Sequence, residues 1–395
     1  GTNGVRGVVG KDMTPDLVLT IGQALGAMRK GCIAVGRDTR TSGETLVKAV
    51  KSGLLSMGCD VVDCGILPTP ALQYLVKDQF DGGAMITASH NPPEYNGVKI
   101  IEADGTEMGD EETLRLEHLI FDTPPSPLPW DHAGHEVCAP HLIRNYINAI
   151  VHHFPENTGS GLTVVVDPGS GPSCITTPQI LTGMGCRVFT VNGIMDGTFP
   201  GRLPEPSPDG LRMLADLVVS CGAAFGVAHD GDADRSVFID ENGRFVEENQ
   251  EFALIARHLC HQKKGALVTP VSTSQMVEMV VKNEGCTIHY TPVGSIYVAR
   301  TMLSLIGEGQ SVVFGGEGNG GLIFPEHQFC RDGGMTAAMM VSILSHETQH
   351  LSALISTLPR RTMIKDKIST IRGAEVLEEI KKIYQKETLD LTDGV

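Results

Sequence analysis

Read for its apolar and polar positions, the chain repeats one plan three times. The apolar run at 33–40 (IAVGRDTR) predicts a strand, the amphipathic stretch at 44–58 (ETLVKAVKSGLLSMG) a helix, and after Cys59 the segment DVVDCG a second strand. The same order returns as LTVVVDPGSG at 162–171, ITTPQILTGMG, Cys186 and RVFTVNG, and again as ALVTPVSTS at 266–274, QMVEMVVKNEG, Cys286 and TIHYTPVG. Strand, glycine- or serine-rich turn, helix, Gly-Cys and strand make a βαβ unit, whose parallel strands need a right-handed crossover helix. Copies about a hundred residues apart are too widely spaced for a solenoid. The pattern therefore predicts three similar α/β domains in tandem, each a mixed sheet flanked by helices. PPSPLP at 124–129 reads as a linker or surface loop, and the expected domains are 1–136, 137–242 and 243–360.

Composition narrows the class. With 41% hydrophobic residues, a chain of 395 has material for several cores, and Gly 46 and Pro 22 are scattered as in a turn-rich globular protein. No apolar run approaches the roughly 18 residues needed to cross a bilayer, and no charged start with a small-residue cleavage site marks export. A soluble, cytoplasmic protein without a membrane partner is expected. The ten cysteines form no CxxC pair, and Cys59, Cys186 and Cys286 lie in apolar settings, so reduced core thiols are expected rather than redox or zinc sites. A formal charge of −16 argues against a nucleic-acid surface. An anionic substrate would need a local basic pocket.

Candidate chemistry gathers in a few loops. TASHNPP at 87–93 follows the strand-like GGAMITA, and its prolines hold the loop open, so Ser89 presents its oxygen with little entropy to lose. His90 stands beside it, but no GxSxG elbow surrounds the pair, which disfavours a hydrolase triad. NGVKI delivers Lys99 on the next strand. In AHDGDADRSVFID at 228–240, Asp230, Asp232 and Asp234 occur at i, i+2 and i+4, a spacing at which three carboxylates converge on one small hard cation that relieves their repulsion. The spacing also fits a calcium EF-hand, with Glu241 in the twelfth position. Arg235, however, falls where that loop requires glycine, and the flanks read as strands, so a strand-to-strand magnesium loop is favoured over it and over a metal-free hairpin. FGGEGNGGLIF at 314–324 frees the backbone to approach a ligand, and Glu317 and Asn319 suit sugar hydroxyls, although a mobile hairpin reads the same. Arg6 in TNGVRG is a natural phosphate partner, and Arg37 and Arg40 in GRDTR form a second basic loop or pair with nearby acids.

In this order, TNGVRG, GRDTR, TASHNPPEYNGVK, DGDADR and GEGNGG resemble the α-D-phosphohexomutases, the family of phosphoglucomutase and phosphomannomutase, over nearly the whole chain. The resemblance implies four domains around a deep cleft, the first three alike, with 361–395 the start of a fourth, α+β domain. It implies a phosphoryl group on Ser89, Mg²⁺ held by Asp230, Asp232, Asp234 and a phosphoserine oxygen, proton transfer assisted by Lys99 and Arg6, and a loop shaped by His90. Arg235 would support the phosphoserine side, Glu317 and Asn319 would grip the sugar, and Thr291 to Ser295 of TPVGS, with Gly294, would line a specificity loop. The implied reaction moves phosphate between O1 and O6 of a phosphorylated hexose, mannose or glucose, through a sugar 1,6-bisphosphate that also serves as activator. Phosphoglucosamine mutase is the alternative within the family; a non-catalytic phosphosugar or metal-binding protein and a phosphatase are alternatives of other classes. Monomer and homodimer stay open.

Two positions depart from the family pattern. The bacterial form of the sugar loop ends in Ser-Gly-His, whereas Asn319-Gly320-Gly321 lacks the histidine. Near the carboxyl end, RRTMIKDKISTIRGAEVLEEIKKIYQ predicts a strand and a helix, but no Arg-x-Ser-Gly-Thr-Glu-Pro phosphate loop occurs before Val395. A protein ending there, naturally short or cut from a longer one, is expected to bind phosphosugar poorly.

Overall fold

The structure, a computed structural model, describes residues 4–363, 372–385 and 391–393. The first sheet holds β1 (Val5–Val8), β2 (Cys32–Arg37), β3 (Asp60–Ile66), β4 (Gly82–Ile86), β5 (Tyr95–Ile101) and β6 (Glu136–Cys138) in the order β1-β5-β4-β2-β3-β6. The second holds β7 (Thr163–Asp167), β8 (Arg187–Thr190), β9 (Phe225–His229), β10 (Ser236–Asp240) and β11 (Phe245–Val246) in the order β11-β10-β9-β7-β8. The third holds β12 (Ala266–Pro270), β13 (Thr287–Thr291), β14 (Val312–Glu317) and β15 (Gly321–Ile323) in the order β13-β12-β14-β15.

Aligned on their βαβ units, the sheets share one core. Three parallel strands, β3-β2-β4, β8-β7-β9 and β13-β12-β14, are each followed by a fourth that runs antiparallel, β5, β10 or β15. The predicted crossover helices are present as Gly43–Ser56, Thr177–Gly183 and Gln275–Asn283. The first of them buries Leu46, Val47, Val50 and Leu54, an apolar stripe at helical spacing. The connection from third to fourth strand carries Ser89 in the first repeat, the three aspartates in the second, and the loop after Glu317 in the third. Among the described residues, no helix is long and apolar enough to cross a membrane.

Two expected domain joins divide sheets. The join at 136/137 falls inside β6, which pairs with β3, and the join at 242/243 falls in the turn between β10 and β11, so the first sheet runs to Cys138 and the second to Val246. Short strands of three and two residues leave too little periodicity to mark them in the sequence. The helix expected near the carboxyl end is Gly373–Ile383; of the strand expected before it, 364–371 lies outside the described residues, as do Thr2 and Asn3 of TNGVRG.

A single apolar cluster crosses all three repeats, with Leu72, Tyr146, Phe225, Phe252, Phe314 and Met340 among its members. At its centre lies the helix Gly333–His346, buried on every side from Gly333 to Leu344, as its unbroken run of small and apolar residues requires. All ten cysteines are unpaired, and burial pushes the thiols of Cys59 and Cys186 up to about 11 and about 12, the behaviour of inert core residues.

The loop bearing Ser89 is built on a buried arginine. Arg40, 0% exposed, lies against Asp38 at 3.1 Å and donates to the carbonyls of Ser89 (2.7 Å), Asn91 (2.6 Å), Pro92 (2.6 Å) and Tyr95 (2.9 Å). Asp38 also accepts from the Thr87 hydroxyl at 2.6 Å, and Thr87 in turn accepts from the Ser89 amide at 2.9 Å. These carbonyls and the amide are thereby satisfied by the protein itself, which fixes the shape of the turn. Ser89 sits at φ +50°, the left-handed region, which costs a residue with a Cβ about 1–2 kcal/mol.

Elsewhere one acid is buried without compensation. Glu251, 0% exposed in the helix Glu248–Gln262, has no hydrogen-bond partner on either carboxyl oxygen; burial first, then the charges of Glu248 and Glu247, push its pKa well above the ordinary 4.5. Below pH 4.5 Glu251 is protonated folded or unfolded; as pH climbs, the unfolded chain ionises while the folded one does not, and stability falls by up to about 1.4 kcal/mol per pH unit. Urea unfolding should therefore show Glu251→Met gaining more over the parent at pH 8 than at pH 5; an equal gain at both would contradict a neutral buried acid. At the other site, Ser89→Gly should unfold at a free energy about 1 kcal/mol higher than Ser89→Ala, since both lose the hydroxyl and only glycine relieves the left-handed backbone.

Candidate active site

The three hairpins meet around a cleft of about 610 Å³, lined by Arg6, Ser89, His90, Arg235, Glu317 and Arg331 among others. Ser89 Oγ donates to Asp230 Oδ2 at 2.8 Å, although 141 positions separate them. Gly231 permits this approach: a Cβ there would collide with the Ser89 carbonyl oxygen and crowd Pro204. Asp230, Asp232 and Asp234 are at most 1% exposed, and one oxygen from each lies within 4.8 Å of the others.

Three cations surround the three acids. Lys99 Nζ donates to Asp232 Oδ2 at 2.7 Å and to Asp234 Oδ2 at 3.1 Å; Arg331 reaches Asp234 Oδ2 at 2.6 Å; Arg235 Nε lies 3.6 Å from Asp230. Thr69 adds its hydroxyl to Asp232 at 2.5 Å. The carboxyls divide accordingly. Burial, then the charges of Asp234 and Asp232, push Asp230 up to about 8. For Asp232 and Asp234 burial acts in the same upward sense but is outweighed, by Lys99 for the first and by Arg331 and Lys99 for the second, so both are held below the usual carboxylate range. Oδ1 of Asp232 and Oδ1 of Asp234 are nevertheless buried without a hydrogen bond, the second with Arg235 Nε 3.8 Å away. Two orphaned carboxylate oxygens beside a third acid fit a small, hard divalent ion with oxygen ligands.

The other expected residues divide into those at the cleft and those behind it. His90 contacts the Arg235 guanidinium, and burial, Arg235 and Arg6 lower its pKa to about 4, so it is a neutral acceptor. Glu317 accepts from Arg331 at 2.9 Å, Asn319 Oδ1 accepts from the Gly321 amide at 3.1 Å, and Gly294 and Ser295 line the same cleft. The Ser295 hydroxyl donates to Glu107 at 2.7 Å. Thr291, expected beside the substrate, is instead buried at the end of β13 with its hydroxyl on the Pro292 carbonyl, and it is not among the residues lining the cleft. The calcium reading fails on Glu241, whose carboxylate is held by the amide and hydroxyl of Ser352.

Sequence reasoning missed Arg331, Thr69 and Glu107. The signal for Arg331 was a charged pair, Arg331-Asp332, directly before a long run of small and apolar residues. Thr69 and Glu107 carry no comparable local mark.

Three family models, Phosphoglucomutase/phosphomannomutase alpha/beta/alpha domains I, II and III, match residues 1–125, 144–243 and 247–362. A phosphoglucomutase/phosphomannomutase of Thermococcus kodakarensis is 41% identical over 100% of this chain and 88% of its own length. A phosphoglucosamine/phosphogalactosamine mutase of Sulfurisphaera tokodaii is 38% identical over 98% of this chain and 86% of its own. Among solved structures, a putative phosphomannomutase from Thermus thermophilus superposes with a TM-score of 0.82 at 28% identity, covering 90% of this chain and 82% of that one. With the fold, the converging hairpins and these likenesses in agreement, the chain belongs to the α-D-phosphohexomutases, the family of phosphoglucomutase and phosphomannomutase, whose members are intramolecular phosphotransferases.

Proposed function

We propose that the protein interconverts hexose 1-phosphate and hexose 6-phosphate, with Ser89 carrying the phosphoryl group between the two positions. The contact of Ser89 Oγ with Asp230 across the meeting of two sheets carries this reading, because it sets a nucleophilic oxygen at the edge of the cation site. Asp230, Asp232, Asp234 and an oxygen of the phosphoserine would hold Mg²⁺, which when bound neutralises charge on the transferring group.

In the first half-reaction the free hydroxyl of a hexose phosphate attacks the phosphorus on Ser89. The P–Oγ bond breaks, and the proton lost by the hydroxyl ends on Oγ. The sugar 1,6-bisphosphate turns end over end, Oγ attacks its other phosphorus, and the freed sugar oxygen takes the proton. Lys99 is the proton carrier: burial disfavours its charge, but Asp232 and Asp234 prevail and keep it an ammonium, which gives a proton to the departing Oγ and takes back the one that the attacking hydroxyl loses. Arg6, permanently charged, steadies the oxyanion, and Arg235 supports the phosphoserine with neutral His90 against it. Glu317 and Asn319 take the sugar hydroxyls, with Gly294 and Ser295 beside them. A donor fixed by Arg40 suits this cycle, since a misplacement of about 1 Å can cost about a hundredfold in rate.

Among the charged groups at the cleft, Arg6, Arg235 and Arg331 are cationic and the anionic Glu317 is already paired, a lining that favours phosphate and hydroxyls over an ammonium group. Mannose and glucose phosphates are therefore the proposed substrates. The Sulfurisphaera tokodaii relative supports a second reading, action on glucosamine phosphate. Incubation with glucose 1,6-bisphosphate and Mg²⁺ should add about 80 Da to the intact protein, and Ser89→Ala should abolish the adduct. Turnover of mannose 1-phosphate and glucose 1-phosphate above glucosamine 1-phosphate is expected; no adduct and no turnover of any of the three would overturn the assignment.

A further inference from the structure

Arg331 has no part in the phosphoryl transfer proposed above, yet it is the side chain on which two of the three hairpins close. Its guanidinium spans two carboxylates from different repeats: Nη1 donates to Glu317 Oε2 at 2.9 Å and Nη2 to Asp234 Oδ2 at 2.6 Å. It is 8% exposed and lines the cleft. Its backbone is anchored on both sides, by a bridge to Ile323 and by the next residue, Asp332, whose amide donates to the Leu322 carbonyl at 2.9 Å. Asp332 caps the central helix through the Met335 amide and accepts from Tyr146 at 2.7 Å and Gln328 at 2.7 Å. The arm is therefore aimed from a rigid base.

Room for that arm is made at Gly321. A Cβ built there would land on Cδ of Arg331, so position 321 has no space for any side chain while Arg331 lies where it does. Gly321 is also not among the glycines with positive φ, so a Cβ there meets a steric rather than a conformational obstacle. Arginine cannot release its proton in a protein, which excludes an acid–base role, and its planar fork fixes the directions and spacing of the two carboxylates it holds, which a compact lysine ammonium on a flexible stem does not.

We infer that Arg331 is a positioning residue that couples cation binding to sugar binding. By occupying Oδ2 of Asp234 it leaves Oδ1, buried without a hydrogen bond and with Arg235 Nε 3.8 Å away, free to serve a cation; by occupying Oε2 of Glu317 it leaves the second oxygen for a sugar hydroxyl. A cation that orders Asp234 then orders Glu317 through one guanidinium, and by linkage the sugar phosphate returns the effect. The inference rests on the cation and sugar sites proposed above, not on phosphoryl transfer itself.

Calorimetric titration of the full chain with Mg²⁺, alone and with glucose 1-phosphate, tests it. In the parent each ligand should tighten the other. Arg331→Lys keeps the charge and loses the fork; Mg²⁺ affinity should fall about 10- to 100-fold and the mutual tightening should vanish. Gly321→Ala, a milder change that keeps every charged group, should weaken Mg²⁺ binding by displacing the guanidinium, and in an Arg331→Ala background the same Cβ, left with Asn319 Oδ1 at 3.1 Å as its close neighbour, should cost no further Mg²⁺ affinity. Arg331→Lys with Mg²⁺ affinity within twofold of the parent, or effects of Gly321→Ala and Arg331→Ala that simply add, would overturn the inference; a lower melting temperature with affinities and coupling intact would do the same by leaving only a structural role. Because these readouts are binding constants, they stand apart from the Ser89 adduct: a parent that couples Mg²⁺ and glucose 1-phosphate but takes up no phosphoryl group would refute the mutase and leave the role of Arg331 in place.

Discussion

Everything in the cleft follows from the need to keep three carboxylates stable where water cannot reach them. An unpaired buried charge is expensive, and three within a few ångströms also repel. The protein meets this by sending one cation from each repeat: Lys99 from the first, Arg235 from the second and Arg331 from the third. None of the repeats can hold the aspartate loop alone. Packing of the three sheets into one apolar cluster is thus as much a condition of the chemistry as of the fold.

The compensation is uneven. Two of the acids are kept ionised and one, Asp230, is pushed towards its neutral form, and it is the neutral-leaning one that touches Ser89. Meanwhile two carboxylate oxygens lack hydrogen bonds. A set of ligands neutralised completely by side chains would have no reason to take up an ion, and a set left bare would not stay buried. What is found lies between these limits.

Much of this was legible along the chain. The three βαβ units could be read because crossover helices and buried parallel strands leave long apolar signals, and the aspartate triplet because its spacing is local. The expected joins fell a few residues inside the first two sheets because β6 and β11 are too short to show a period and are assigned only by their partners. Thr291 was drawn into the site by its neighbours in TPVGS, yet the strand ends on it and its hydroxyl is spent on the next residue's carbonyl. Arg40 read equally well as a phosphate partner or a structural ion pair, and four carbonyl contacts in the folded loop decide for the second. Arg331 escaped notice because its two partners lie 97 and 14 positions away, one of them in another repeat.

The correspondence of the three hairpins has a mechanical corollary. Each tool hangs from the same corner of a like frame, so the separations between tools are set by how the frames are tilted against one another rather than by the shape of any loop. A small swing of one frame along its seam would alter the gap between serine and aspartates, or between aspartates and the glycine-rich turn, with no loop refolding. Tuning of the gap then belongs to residues along the seams, far from any reacting atom.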